Sequence, residues 1–136
     1  MYLSTLIEQA RSIASHAYAP YSHYPVGACL VLESGAVYEG VNVENASYGG
    51  TICAERIAVG AAVTAEGPKM RITHVVVHTL SSPPAAPCGL CLQVLSEFAS
   101  PDTAVTCANH RGEIRTFTFE QLLPQAFHGT DITPSE

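Results

Sequence analysis

The spacing of apolar side chains predicts the helices of this chain. Apolar residues recur every three or four positions through residues 3–17, which indicates an amphipathic helix that ends before Pro20. Residues 53–64 and 88–98 are rich in good helix formers and are followed by glycine or proline, so each predicts a further helix. Residues 120–127 are compatible with a short closing helix.

Short apolar runs bounded by turn residues predict the strands, at residues 26–32, 37–43, 72–80, 104–108 and 113–119. A tight turn joins the first two runs and indicates a hairpin. Only four residues separate the last two runs, too few for the crossover that parallel neighbours need, so this pair is expected to be antiparallel.

The order of these elements predicts an α/β fold. Helices are expected to cover both faces of one mixed five-stranded sheet, which gives a three-layer α/β/α domain. We expect residues 1–136 to form a single domain, in which residues 128–136 are a loosely held tail.

Composition and charge narrow the possible functions. Hydrophobic residues make up 47% of the chain and charged residues only 13%, which indicates a globular protein and favours burial of surface between subunits. A net charge of -6 disfavours binding to a nucleic-acid polymer. No apolar run approaches the roughly 18 residues of a membrane span, and the first residues lack the features of a secretory signal. The sequence therefore predicts a cytoplasmic protein with no membrane partner.

Five cysteines offer candidate chemistry, and in the cytoplasm they should be reduced. Cys88 and Cys91 stand at i and i+3 at the start of a predicted helix, so both sulfurs can face one ion. Cys53 also opens a helix and could supply a third sulfur. Three sulfurs would leave a fourth tetrahedral position for water, as in a catalytic zinc site. By itself the pair also fits a thioredoxin-like dithiol or two packed cysteines, whereas Cys29 and Cys107 lie in apolar strands and are expected to be buried.

Several motifs occur in order along nearly the whole chain. They are Ala19-Pro20-Tyr21-Ser22, Pro25-Val26-Gly27-Ala28, Asn42-Val43-Glu44-Asn45-Ala46, Thr51-Ile52-Cys53-Ala54-Glu55-Arg56, Pro87-Cys88-Gly89-x-Cys91 with Gln93-Val94, and Leu122-Leu123-Pro124-x-x-Phe127. Together they resemble the zinc-dependent cytidine deaminases, in the small form whose subunits associate as a homotetramer. The resemblance implies one Zn²⁺ per chain and hydrolytic deamination of cytidine and 2'-deoxycytidine in pyrimidine salvage, with active sites near subunit interfaces.

The resemblance also assigns the reaction's machinery. Cys53, Cys88 and Cys91 are implied as zinc ligands, with Glu55 as the group that moves protons. Attack at C4 of the pyrimidine needs a proton at N3 and another at the departing amine, and one carboxylate can serve both steps. Arg56 is implied to donate hydrogen bonds to ligand sulfurs, which offsets the charge of three thiolates.

Substrate contacts follow from the same resemblance. Asn42 and Glu44 are implied to bind the ribose hydroxyls, and the backbone of Ala54 the pyrimidine O2. Tyr24 stands where relatives usually have a phenylalanine that stacks on the base. The resemblance also implies that two aromatic residues, Tyr48 and Phe127, reach the site of a neighbouring subunit. Without the surrounding motifs, these positions would be assigned to turns, to core packing or, for Glu55, to a solvated helix surface.

One departure from the family pattern concerns Leu92, where relatives usually carry an arginine. We hypothesise that the missing cation leaves a more electron-rich zinc and shifts the pH-rate profile toward alkaline pH. An alternative activity is deamination of another cytosine-bearing compound, such as an N4-substituted cytidine or a blasticidin-like nucleoside. From a different class, a non-catalytic zinc module or a dithiol redox protein would leave Glu55 without a role.

Overall fold

A computed structural model describes residues 2–132, which build a mixed five-stranded sheet with helices on both faces. The strands are β1 (Gly27–Leu32), β2 (Val37–Val41), β3 (Ile72–Thr79), β4 (Ala99–Asn109) and β5 (Ile114–Thr118). Their order across the sheet is β2-β1-β3-β4-β5. Only β3 and β4 are parallel, and the other neighbouring pairs, including β4 with β5, are antiparallel. The predicted mixed sheet and its antiparallel last pair are confirmed.

Four α-helices accompany the sheet, α1 (Tyr2–Ile13), α2 (Ala54–Glu66), α3 (Gly89–Ser96) and α4 (Phe119–Leu122). The first helix continues as one 3₁₀ turn, Ala14–His16. The closing helix is shorter than the predicted 120–127, because Leu123 leaves the helical region with φ −141° directly before Pro124. Among residues 2–132, no helix has the length and apolar character needed to cross a membrane.

Side chains that alternate along the central strands reach opposite faces of the sheet. On one face, Leu6 and Ala10 of α1 pack against Cys29, Val31 and Val76. On the other face, α2 and α3 cover a larger core that includes alternate residues of β1, β3 and β4. Every residue of β1 is therefore buried, and the three-layer arrangement is confirmed.

The fourth strand begins earlier than the predicted 104–108, because Ala99 already pairs with Ile72 of β3. The pairing between β3 and β4 shifts register between Ile72, which faces Ala99, and His74, which faces Ala104. This irregularity takes up the extra residues of β4 without requiring a ladder hydrogen bond from the proline nitrogen.

The end of the chain is described only in part. Residues 129–131 form one 3₁₀ turn, in which the His128 N–H donates to the Asp131 carboxylate. Residues 133–136 of the expected loose tail lie outside the described residues. The assignment of residues 1–136 to a single domain stays a prediction.

Gly40 of β2 fixes the position of the first turn of α2. A Cβ atom at this position would lie 2.2 Å from the Ala54 carbonyl oxygen and 2.5 Å from the Ala58 nitrogen. Because both are backbone atoms, the helix itself would have to move to accept a side chain. The closeness of β2 and α2 therefore determines where the residues at the start of α2 stand.

We predict that Gly40→Ala lowers the free energy of unfolding by about 1–3 kcal/mol through overpacking. The matched control is Gly60→Ala, in an exposed part of α2 where a Cβ atom meets nothing within 4 Å. That change should stabilise the chain by roughly 0.5–1 kcal/mol through helix propensity. Urea denaturation measures both effects, and a Gly40→Ala variant as stable as the parent would contradict the close packing.

Candidate active site

The structure brings three cysteine sulfurs together, from the starts of two helices. Cys53 is the residue before α2, Cys88 the residue before α3, and Cys91 lies in the first turn of α3. Their sulfurs all lie within 4.8 Å of one another, and no fourth His, Cys, Asp or Glu of residues 2–132 belongs to this cluster. Tetrahedral zinc–sulfur bonds of about 2.3 Å place sulfurs about 3.8 Å apart, so the cluster fits a Zn²⁺ ion with three protein ligands.

Burial and hydrogen bonding act differently on the three thiols. Burial raises the pKa of Cys91, and the nearby Glu55 carboxylate adds to this effect. Burial also acts to raise the pKa of Cys88, but hydrogen bonds from the Cys91 backbone and from neighbouring thiols lower it overall. Cys88 therefore loses its proton more readily than Cys91, and a bound cation would favour the thiolate form of both.

The two remaining cysteines lie in the core, away from the sulfur cluster. Cys29 lies within β1 and Cys107 within β4, and both are fully buried. Burial raises the pKa of Cys29 to about 12 and that of Cys107 to about 11, so both stay protonated thiols in the core.

Arg56 lies beside the sulfur cluster. Its Nη2 atom donates a hydrogen bond to the Cys53 sulfur at 3.4 Å. Hydrogen bonding to Cys53, and then to Cys91, raises the pKa of the guanidinium group. Leu92, by contrast, points into the core and is 7% exposed, so it brings no charge to the cluster.

Glu55 is buried at the same place, with 4% of its surface exposed. Residues i and i+2 of a helix point apart, yet Glu55 and Cys53 line one cavity. The reason is that Cys53 precedes the helix and has extended backbone angles, φ −73° and ψ 157°. Burial raises the pKa of Glu55, because removal from water disfavours the charged carboxylate. The alternative of a solvated surface glutamate is wrong.

A cavity of about 320 Å³ opens onto Glu55 and onto two of the three cluster cysteines, Cys53 and Cys88. It is lined by Ser22, Tyr24, Val26, Asn42, Glu44, Thr51, Cys53, Ala54, Glu55, Val77, Thr79, Ala85, Ala86 and Cys88. Another cavity, of about 500 Å³, lies against α1 and the β4–β5 turn, and no cysteine or carboxylate lines it. The smaller cavity is the one that combines ionisable groups with a metal-binding cluster.

Asn42 and Glu44 brace the segment that carries Tyr24. The Asn42 amide accepts from the Val26 N–H and donates to the Tyr24 carbonyl, both at 2.9 Å. The Glu44 carboxylate accepts from two backbone N–H groups, at 3.0 and 3.1 Å, and from the Ser22 hydroxyl. The hydrogen bond from that hydroxyl lowers the pKa of Glu44, so the carboxylate stays ionised.

Tyr48 and Phe127 lie outside this cavity. Tyr48 is 79% exposed and packs edge-on against the Tyr21 ring, with 6.5 Å between ring centroids. Phe127 is 54% exposed, and its carbonyl accepts a hydrogen bond from the Gln93 side chain at 2.8 Å. A single chain therefore does not bring these two rings to its own site.

Some residues that line the cavity received no role in the sequence analysis. Thr79 is the last residue of β3 and is 4% exposed, and Ala85 and Ala86 form part of the loop before α3. The signal for Thr79 was present, because ligands commonly bind beyond the carboxyl ends of parallel strands. Small alanines in a proline-rich loop carry no comparable signal.

Comparisons with known proteins find relatives that match nearly the whole chain. Residues 2–107 match the family model described as the cytidine and deoxycytidylate deaminase zinc-binding region. The chain is 39% identical over 133 residues to a cytidine deaminase of Sporosarcina psychrophila. This alignment covers 98% of this chain and 96% of the relative. It is 42% identical over 127 residues to a cytidine deaminase of Halalkalibacterium halodurans, which covers 93% and 95%.

A solved structure shows the same architecture. The crystal structure of cytidine deaminase from Burkholderia pseudomallei superposes with a TM-score of 0.88 at 42% sequence identity, covering 93% of this chain and all of that one. The fold, the three-sulfur cluster and the high coverage of these matches all indicate the same family. The chain belongs to the cytidine and deoxycytidylate deaminase family.

Proposed function

We propose that this chain catalyses the zinc-dependent hydrolytic deamination of cytidine and 2'-deoxycytidine to uridine and 2'-deoxyuridine, with release of ammonia. The observation that carries the proposal is a buried carboxyl group, Glu55, that shares one cavity with two cysteines of a three-sulfur cluster. The cavity volume of about 320 Å³ lies in the range of small-molecule sites. The relatives named cytidine deaminase support the choice of substrate.

The proton transfers are assigned to Glu55. Cys53, Cys88 and Cys91 would hold the zinc ion, which when bound supplies a Lewis acid that makes water nucleophilic near neutral pH. Glu55 takes a proton from the attacking water and donates it to N3 of the pyrimidine. It then takes the proton of the new C4 hydroxyl group and passes it to the amine, so that the C4–N bond breaks and ammonia leaves.

Arg56 is the cation that stabilises the ligand set. Three thiolates and Zn²⁺ sum to one negative charge, and the guanidinium group beside Cys53 offsets it. Leu92 supplies no second cation, so the expected alkaline shift of the pH-rate profile stays a prediction. Its burial means that Leu92→Arg would place an unpaired charge in the core, which makes that variant a poor test.

The nucleoside contacts are assigned to the opposite wall of the cavity. Tyr24 presents a ring face to the base. The first N–H groups of a helix lack intrahelical acceptors, so the start of α2 at Ala54 suits the pyrimidine O2. Asn42 and Glu44 bind the ribose hydroxyls. Each side chain can still form further hydrogen bonds in addition to those that brace the Tyr24 segment.

We also propose a homotetramer whose active sites lie near the subunit interfaces. Large apolar side chains are exposed around the site, among them Tyr21, Tyr48, Leu90 and Phe127. Tyr48 and Phe127 would then reach a neighbour's cavity. The reaction belongs to pyrimidine salvage, and a cytoplasmic location suits five free cysteines of which three must remain thiolates.

Glu55→Gln is predicted to lower kcat for cytidine by about 10²–10⁴-fold, because the amide cannot move protons. The change should leave one zinc per chain, since Glu55 is no ligand. Ultraviolet absorbance measures the rate and elemental analysis the metal. The control is Glu97→Gln, an exposed position after α3, which should retain full activity. A fully active Glu55→Gln enzyme would refute the assignment.

Cys91→Ala is predicted to lose zinc and deaminase activity together, because two sulfurs remain to hold the ion. Cys29→Ala removes an equally buried thiol from β1 and should keep one zinc per chain. Metal content and activity are measured on both purified variants. An active, zinc-loaded Cys91→Ala chain would remove this sulfur from the ligand set.

Co-expression of Glu55→Gln with Phe127→Ala chains tests the shared site. If Phe127 completes a neighbour's cavity, mixed assemblies contain sites that have both residues intact, and their activity should exceed the sum of the two variants alone. Glu55→Gln co-expressed with Cys91→Ala is the control, because both residues belong to the same chain's site. Activity equal to the sum in the first pair would contradict a shared site.

A further inference from the structure

A hydrogen bond between two hydroxyl groups joins two segments that line the cavity. The Tyr24 and Ser81 hydroxyls lie 2.5 Å apart, although the residues are separated by 57 positions in the chain. Tyr24 belongs to the segment before β1, and Ser81 belongs to the loop that leads from β3 to Cys88. Both segments line the cavity, so this bond joins two of its walls.

Ser81 is held firmly on its own side. Its N–H donates to the Thr79 hydroxyl at 3.2 Å, and its carbonyl accepts from the Asn109 amide at 2.8 Å. The same amide donates to the Glu113 carboxylate at 2.7 Å, and its oxygen accepts from backbone N–H groups of the β4–β5 turn. The backbone of Ser81 is therefore anchored to the ends of β3 and β4.

Tyr24 is held at both ends of its side chain. Its backbone N–H donates to the Ser22 hydroxyl at 3.1 Å, and its carbonyl accepts from the Asn42 amide. The phenol oxygen at the far end bonds to Ser81. The phenol oxygen lies on the axis of the ring, so contacts at both ends fix the first side-chain torsion and the position and direction of that axis.

We propose that Ser81 is a positioning residue for the pyrimidine, which acts by holding the Tyr24 ring in place beside the base. This inference rests on the proposed function, in which Tyr24 contacts the base. The phenol oxygen is engaged with Ser81, so Tyr24 offers the substrate its ring face. Because the ring contacts the base both before and during the attack at C4, the bond should affect KM more than kcat.

A double-mutant cycle tests the proposal. Tyr24→Phe and Ser81→Ala should each raise KM for cytidine about fivefold, the effect of one ordinary hydrogen bond, with kcat changed less than about twofold. The double variant should be no worse than either single variant, because both changes break the same bond. Ser81→Thr keeps a hydroxyl group and should restore KM.

Tyr38→Phe is the matched control for the loss of a tyrosine hydroxyl. The Tyr38 hydroxyl donates to Glu66 at 2.8 Å, and neither residue lines the cavity, so this variant should keep the parent KM. Urea denaturation of all variants separates a loss of stability from a loss of positioning. A KM unchanged in Tyr24→Phe and Ser81→Ala, or effects that multiply in the double variant, would overturn the proposal.

The same double-mutant cycle can be measured as the Kd for uridine. This measurement distinguishes a failure of the Ser81 proposal from a failure of the proposed deaminase function. A parent chain that binds uridine without deaminating cytidine would contradict the proposed function, and the coupling in Kd would still decide the role of Ser81. A Kd that neither single variant changes would overturn that role whatever the activity.

Discussion

Two helices that begin at one place hold the site together. Cys53 and Cys88 each have extended backbone angles and lie directly before a helix, and Cys91 lies in the first turn of α3. The positive ends of both helix dipoles therefore point at the same three sulfurs and would partly offset the negative charge of a three-thiolate ligand set. The sheet fixes this meeting point, because Gly40 of β2 lets α2 approach to backbone contact.

Burial gives the neighbouring groups their chemistry. Removal from water raises the pKa of Glu55, so its carboxyl group can both accept and return a proton. Other polar residues brace the cavity and would also bind the substrate. Asn42 and Glu44 brace the segment that carries Tyr24 and keep capacity for further hydrogen bonds, which links the shape of the cavity to the residues that would bind the sugar.

Periodicity and turn chemistry predicted the elements well, but they did not predict the bounds of the two elements that lie close to a proline. The mixed sheet and the antiparallel last pair followed from loop lengths, whereas β4 begins before Pro101 through a change of register and α4 stops before Pro124. The approach of Glu55 to Cys53 was not visible from helical spacing, because the position of Cys53 outside the helix decides it. The bond between Tyr24 and Ser81 joins distant parts of the chain and leaves no local pattern, and any contribution of Tyr48 or Phe127 depends on a second chain.

The central claim is that three cysteine sulfurs hold one zinc ion and leave its fourth position open to solvent. X-ray absorption spectroscopy of the chain loaded with one equivalent of zinc tests this directly. The account predicts three sulfur neighbours at about 2.3 Å and one oxygen neighbour at about 2.0–2.2 Å. Four protein ligands around the ion, or fewer than three sulfurs, would contradict it.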